Sequence, residues 1–303
     1  MLLRSIIISL SLVVSFSSQA QNAFLPNRMT VLRNQTRHVM DTAQGRIGFA
    51  VMGLDFKDSL TLNGTGHFPM QSVYKFPLAI MALSKVDKGE LSLDQQVHLT
   101  RARLDTATWS PLLKDRKEEV IDITLRDLIV YTVSHSDNNC CDVLFGLVGG
   151  TAAVNNYVHS LGIGGISVAA TEAEMKKSWE VQYTNWCEPA AMLQLLSDFY
   201  HNTMLSKPSH DFLLKCMEES TNSAARIRGL LPKEVHVAHK TGTSNTDKAG
   251  ITAATNDVAI ITLPDGRHIA LVVFVSDYKG GVPRGEHMIA EIARHTWDHF
   301  LAK

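Results

Sequence analysis

The chain is poor in cysteine, has no excess of charge of one sign, and lacks an apolar run long enough to span a bilayer. Each shortage excludes something. Its four cysteines are Cys140, Cys141, Cys187 and Cys216. None falls in a C-x-x-C pair or a zinc-ribbon spacing, so neither a dithiol redox centre nor a thiolate metal site is expected. Lys and Arg number 29 against 30 Asp and Glu, with the signs interleaved. That balance gives no electrostatic basis for a nucleic-acid or membrane-surface partner, and the absence of like-charge blocks argues against a disordered tail. Thirteen histidines are present, but no H-E-x-x-H. His295 and His299 share a helix face without further ligands, and His236 and His239 point to opposite faces of a strand. Surface histidines, no metal and no other cofactor are therefore expected. Repeats and low-complexity linkers are also missing.

The one apolar run near the start, Ile6 to Val14, is too short for a membrane helix. It follows a charged Met1–Arg4 and precedes the small residues of Ser18-Gln19-Ala20, which is the pattern of a secretory leader cut near Ala20. No cysteine follows the cut, so no lipid anchor is expected. The reading is an exported, soluble, periplasmic or secreted monomer. Export permits disulfides. A chain of this size, however, buries a core without them, and adjacent cysteines bridge each other only with strain. Buried free thiols are expected.

Asn27 to Met40 has the pattern of an opening helix. Ile47 to Met52 reads as a buried strand, with Ser59 to Asn63 as its hairpin partner. Phe76 to Leu83 is apolar around most of a helical circumference, and Pro77 is tolerable only in an early turn, so a buried helix should begin near Ser72. Helical patterns recur at Leu125–Val133, Cys141–Val148, Thr151–Leu161, Pro189–Tyr200 and His210–Met217. A non-periodic stretch from Thr171 towards Trp186 reads as a long loop, which in compact domains is often functional. Strand texture returns at Val235–Thr243, Asp257–Leu263 and His268–Ser276, with a turn at Pro264–Arg267, before an amphipathic helix from Arg284 to Leu301. Strands at both ends around inserted helices imply two lobes, one assembled from both ends of the chain.

Three short elements carry the chemistry: Ser72-Val73-Tyr74-Lys75, Ser136-Asp137-Asn138 and Lys240-Thr241-Gly242. Any one alone is weak, because Ser72 could be a plain helix cap and Lys75 a solvated side chain. Together, in this order, they point to a serine nucleophile. Positions i and i+3 of a helix share a face, so Lys75 lies beside Ser72. A buried lysine near other cations can lose its proton and serve as base. Ser136 can relay a proton to a leaving nitrogen, and Asn138 can hold a substrate amide. Asp137 suits a structural cap. Gly242 lets substrate approach the strand, while Lys240, Thr241 and Thr243 suit a carboxylate.

With these elements in place, the chain resembles the class A serine β-lactamases over essentially its whole mature length. Met70–Lys75, Val133–Asn138, Val181–Trp186 and Ala253–Asp257 are most similar to the PER-type and VEB-type extended-spectrum branch. The resemblance implies an α/β (α+β) fold of the β-lactamase and penicillin-binding-protein kind. A five-stranded antiparallel sheet with flanking helices (21–71 and 218–303) would pack on an all-helical domain (72–217). It further implies a β-lactam substrate and Glu172 as the base that activates water, with Glu174 as the competing carboxylate. Backbone N–H groups of Ser72 and Thr243 would form the oxyanion hole. Arg226 would steady the substrate carboxylate, since Thr252–Thr255 contains no arginine, and Arg228 is its rival. Trp109 would wall the entrance unless it is a core tryptophan. Lys176 stands where most of the family has an asparagine that helps to hold the water. The rival activities are a D-alanyl-D-alanine peptidase or transpeptidase and a penicillin-binding sensor.

Overall fold

Apolar segments from the two ends of the chain pair into one antiparallel sheet. In order across the sheet they are Ser59–Leu62, Arg46–Gly53, His268–Lys279, Ile251–Thr262 and Val237–Thr243. Arg46 lies opposite Ser276, and Gly53 opposite Ile269. The computed structural model describes residues 28–222 and 224–301, so the expected leader lies outside the described residues.

The central strands are continuous in apolar residues because both of their faces are covered. On one face Phe49, Val51, Ile261, Leu271 and Val273 meet Leu32 and Val39 of the helix Arg28–Asp41. Ile289, Trp297 and Phe300 of the closing helix Gly281–Leu301 complete that layer. The alternate residues Ala50, Val258, Val272 and Phe274 join a second cluster with Phe76, Phe145 and Phe199. Each fully buried large apolar side chain contributes about 1.5–3 kcal/mol, so these two layers dominate the stability.

The helix Lys75–Asp87 runs through the second cluster with every residue from Lys75 to Ser84 buried. Helices Leu125–Val133, Asn138–Val148, Thr151–Ser160 and Lys207–Glu218 pack around it. Pro189–Tyr200 lies against the sheet instead. The four cysteines are free and buried.

Several sequence expectations are corrected. The strand expected from Asp257 starts at Ile251 and carries Thr255, Asn256 and Asp257 fully buried. Those polar residues disguised the strand, and each bonds a specific partner. Asn256 Nδ2 donates to the carbonyls of Pro69 at 2.7 Å and Met70 at 3.1 Å, and Thr255 shares a hydrogen bond of 2.7 Å with Tyr278. The long loop holds two short helical turns, Glu172–Met175 and Trp179–Thr184. The hairpin of Gln96–Thr100 with Val120–Thr124 was not anticipated. Finally, Ser72 sits in a 3₁₀ turn, Gln71–Tyr74, and the α-helix proper begins at Lys75.

Candidate active site

The 3₁₀ turn places Ser72 where strand and helix meet, and side chains at i and i+3 of such a turn eclipse. Gln71, immediately before the serine, has φ 49°, a left-handed conformation unusual for a residue with a side chain. It is held there by its amide, which donates to Gln182 Oε1 at 2.6 Å, and by the Asn256 contacts to Pro69 and Met70. Gly242 packs directly against this turn: a Cβ there would lie 2.3 Å from the Met70 carbonyl oxygen. The glycine therefore serves the approach of the strand to the Ser72 turn, rather than only the approach of substrate expected above.

Two buried lysines converge on Ser136. Lys75 Nζ donates to the Ser136 carbonyl at 2.9 Å and to Asn138 Oδ1 at 2.6 Å, and lies 3.0 Å from Glu172 Oε1. Lys240 Nζ donates to Ser136 Oγ at 2.9 Å. Ser136 has φ 56°, again left-handed. Burial works to lower the pKa of Lys75, but the Glu172 carboxylate and the other anionic groups near it outweigh burial, and the net direction is upward. For Lys240 burial and the nearby Lys75 charge act together and push the ammonium well down. Burial is thus outweighed by anionic neighbours at Lys75 and reinforced by a cationic one at Lys240, so the two ammonium groups shift in opposite directions. Asn138 Nδ2 donates to Thr108 Oγ1 at 2.8 Å. Asp137 caps its helix through Cys140 N at 2.9 Å and ties Ser110 and Leu112 to it, each at 2.8 Å.

Glu172 opens the turn Glu172–Met175, and its Oε1 accepts from Ser72 Oγ at 3.5 Å. Glu174 points away: its Oε2 accepts from Thr171 N at 2.9 Å, while Thr171 Oγ1 accepts from Glu174 N, a capping box. The turn is anchored by a residue the sequence reading missed. Asp142 accepts from Glu172 N at 2.8 Å and from Ala173 N at 2.9 Å. It lies four residues after Asn138 on the same helix, a spacing that could have exposed it.

Burial, reinforced by the Glu172 charge, pushes the Asp142 carboxyl up to about 6 despite those two donors. Because the folded value lies above that of the unfolded chain, the folded state gains from this group as the pH falls through about 6, and the gain is lost as the pH rises. Wild type should therefore gain about 1 kcal/mol of stability over Asp142→Asn between about pH 8 and about pH 5. Urea unfolding of both proteins at the two pH values checks this, and a pH-independent difference contradicts it.

Thr241 and Thr243 end the strand beside Ser72. Arg226, almost wholly buried, donates to the Gly242 carbonyl at 3.0 Å, the Asn256 carbonyl at 2.8 Å and Thr243 Oγ1 at 2.6 Å, with Glu286 at 3.3 Å. Arg228 is not simply solvated, because it clamps the Glu218 and Val237 carbonyls away from the site. Trp109 is no core residue. It is half exposed, donates to the His135 carbonyl at 3.0 Å and stacks under Lys114.

Ser72, Trp109, Ser136, Asn138, Glu172, Thr241 and Thr243 line one cavity of about 290 Å³. It continues into a larger space of about 560 Å³ between the Glu172 loop and Ser244-Asn245. Arg226 reaches the cavity only through Thr243, and Lys75 and Lys240 lie buried behind it. Gln71 and Asn222, also on the wall, were missed because neither belongs to a chemical motif. His239 corrects the expectation of surface histidines, being fully buried with Nδ1 3.0 Å from Asp257 Oδ1. Among the described residues no group of three or more His, Cys, Asp or Glu is arranged to hold a metal.

Residues 31–300 match the model of the β-lactamase enzyme family. The chain is 44% identical over 268 residues to β-lactamase VEB-1 of Pseudomonas aeruginosa, covering 88% of this chain and 89% of that protein. It is 42% identical over 292 residues to extended-spectrum β-lactamase PER-1 of the same organism, covering 96% and 93%. A crystal structure of a β-lactamase from Chitinophaga pinensis superposes with a TM-score of 0.86 at 52% identity, covering 88% of this chain and 98% of that one.

Proposed function

The chain belongs to the β-lactamase enzyme family and is a class A serine β-lactamase that hydrolyses the β-lactam amide and confers resistance; from that premise we propose which of its residues perform each step. Ser72 Oγ attacks the ring carbonyl, and its proton passes to water held on Glu172 or to Lys75. Backbone N–H groups of Ser72 and Thr243 stabilise the oxyanion. Ser136, hydrogen-bonded by Lys240, delivers a proton to the ring nitrogen as the C–N bond breaks. Glu172 then removes a proton from water, which attacks the ester and frees Ser72. Asn138 holds the side-chain amide of the substrate. Thr241, Thr243 and Arg226 orient its carboxylate, Lys240 contributes positive charge, and Trp109 walls the entrance. The observation that carries this reading is the placement of Glu172 Oε1 within 3.5 Å of Ser72 Oγ and 3.0 Å of Lys75 Nζ. A penicillin sensor, which stays acylated, has no need of that carboxylate.

The residue pattern at Met1–Ala20 supports export with removal of the leader near Ala20, and no described helix is long and apolar enough to cross a membrane. The mature protein acts as a monomer, with 21–71 and 218–303 as the α/β domain and 72–217 as the helical one.

Oxyimino-cephalosporins are within its range. One relative is named an extended-spectrum enzyme, and the space of about 560 Å³ beside the Glu172 loop suits their bulky side chains. Steady-state kinetics should show turnover of ceftazidime or cefotaxime as well as benzylpenicillin. Turnover of benzylpenicillin alone contradicts the spectrum, and a single stoichiometric burst with every substrate contradicts the hydrolytic roles.

A further inference from the structure

We propose that Lys176 and Asp105 form an ionic strap that positions Glu172 for the deacylation step. Lys176 follows the turn Glu172–Met175 directly, and its ammonium is paired with Asp105 Oδ2. Asp105 is itself fixed. Its N–H donates to Asn139 Oδ1 at 2.8 Å, its carbonyl accepts from Asn139 Nδ2 at 3.0 Å, and its Oδ1 accepts from Ala107 N at 2.8 Å. Asn139 and Asp142 lie three residues apart on the helix Asn138–Val148, hence on one face. Asp142 grips the start of the Glu172 turn, and Asn139, through Asp105 and Lys176, grips its end. The general base is thereby held at two points from a single buried helix. Asp105, Asn139, Asp142, Glu172 and Lys176 all border the same small void of about 10 Å³.

An ammonium engaged by Asp105 cannot take the place of the asparagine that usually helps to hold the hydrolytic water. Its contribution is to the placement of Glu172, and only the second half-reaction depends wholly on that residue. The two side chains are 44% and 37% exposed, so salt should screen their attraction. This inference rests on the role given to Glu172 above.

The test uses Lys176→Gln, Asp105→Asn, the double variant and the exchanged pair Lys176→Asp/Asp105→Lys. Acylation and deacylation are timed separately by quenched-flow mass spectrometry. Each single variant should slow deacylation roughly two- to fivefold, the size expected for an exposed ion pair. Because acylation is spared, kcat and KM should fall together with kcat/KM unchanged. The double variant should be no slower than the slower single one, and the exchanged pair should recover most of the loss. Molar salt should slow wild-type deacylation but not that of the double variant. The proposal is overturned by unchanged deacylation in the single variants, by losses that multiply in the double variant, or by a fall in kcat/KM. A Glu172→Ala control separates the two readings. If its adduct persists while the strap variants behave as wild type, the strap alone fails. If its adduct does not persist, the role of Glu172 fails first.

Discussion

Ser72→Ala, mixed with benzylpenicillin, will show no penicilloyl adduct by intact-mass spectrometry and will lose turnover on the order of 10⁶-fold, the scale on which serine hydrolases depend on their nucleophile. The fold should survive. The Ser72 hydroxyl makes a long hydrogen bond, 3.5 Å to Glu172, and the turn is held instead by Gln71, Asn256 and the close approach of Gly242. Melting curves of mutant and wild type should therefore lie within a few degrees, about 1 kcal/mol. An adduct on the mutant would move the nucleophile elsewhere, and Ser136, the other hydroxyl bound to a lysine, would be the first residue to examine.

The second large effect is expected at Glu172. Its replacement by alanine should leave acylation measurable and slow deacylation about 10²–10⁴-fold, so that an ester on Ser72 accumulates. Acylation survives because the substitution changes its neighbour. Lys75 keeps its proton largely against burial, through the Glu172 charge 3.0 Å away. Without that charge, burial acts unopposed by its main partner and Lys75 becomes a better base. No comparable replacement exists for the water that attacks the ester. Glu174→Ala should remain an active enzyme that loses only its capping box, about 1 kcal/mol of stability. Time-resolved mass spectrometry of both mutants decides the matter. Trapping by Glu174→Ala with free turnover by Glu172→Ala would reverse the assignment.

The elements and the three motifs were legible in the sequence wherever one periodicity or one residue type dominated. The helix Leu125–Val133 and the helix Pro189–Tyr200 were expected at their observed limits, because apolar spacing and a leading proline mark them locally. The strand Ile251–Thr262 was half hidden. Its buried Thr255, Asn256 and Asp257 are polar for partners far away in sequence, including Met70 and His239, and no local pattern reports such partners. The same limit applies to the site. The motifs fixed which residues to examine, but the division of charge between Lys75 and Lys240 depends on the distance from each to Glu172 and on burial. Asp142 looked like one more polar residue on a helix until the Glu172 turn was seen to rest on it. Arg228 and Arg226 could be told apart only by the carbonyls each one reaches.

The sheet also constrains when the protein can come into being. Arg46–Gly53 has as its central partner His268–Lys279, which is made more than 200 residues later. Until that late strand leaves the ribosome, the early hairpin exposes an apolar edge with nothing to pair against, and a hairpin alone is marginal in water. The sheet cannot close before that strand is made, and a fold so dominated by non-local pairing should form slowly. Such a polypeptide remains threadable and open to chaperones and to proteases through most of its manufacture, and becomes resistant to both in one late step.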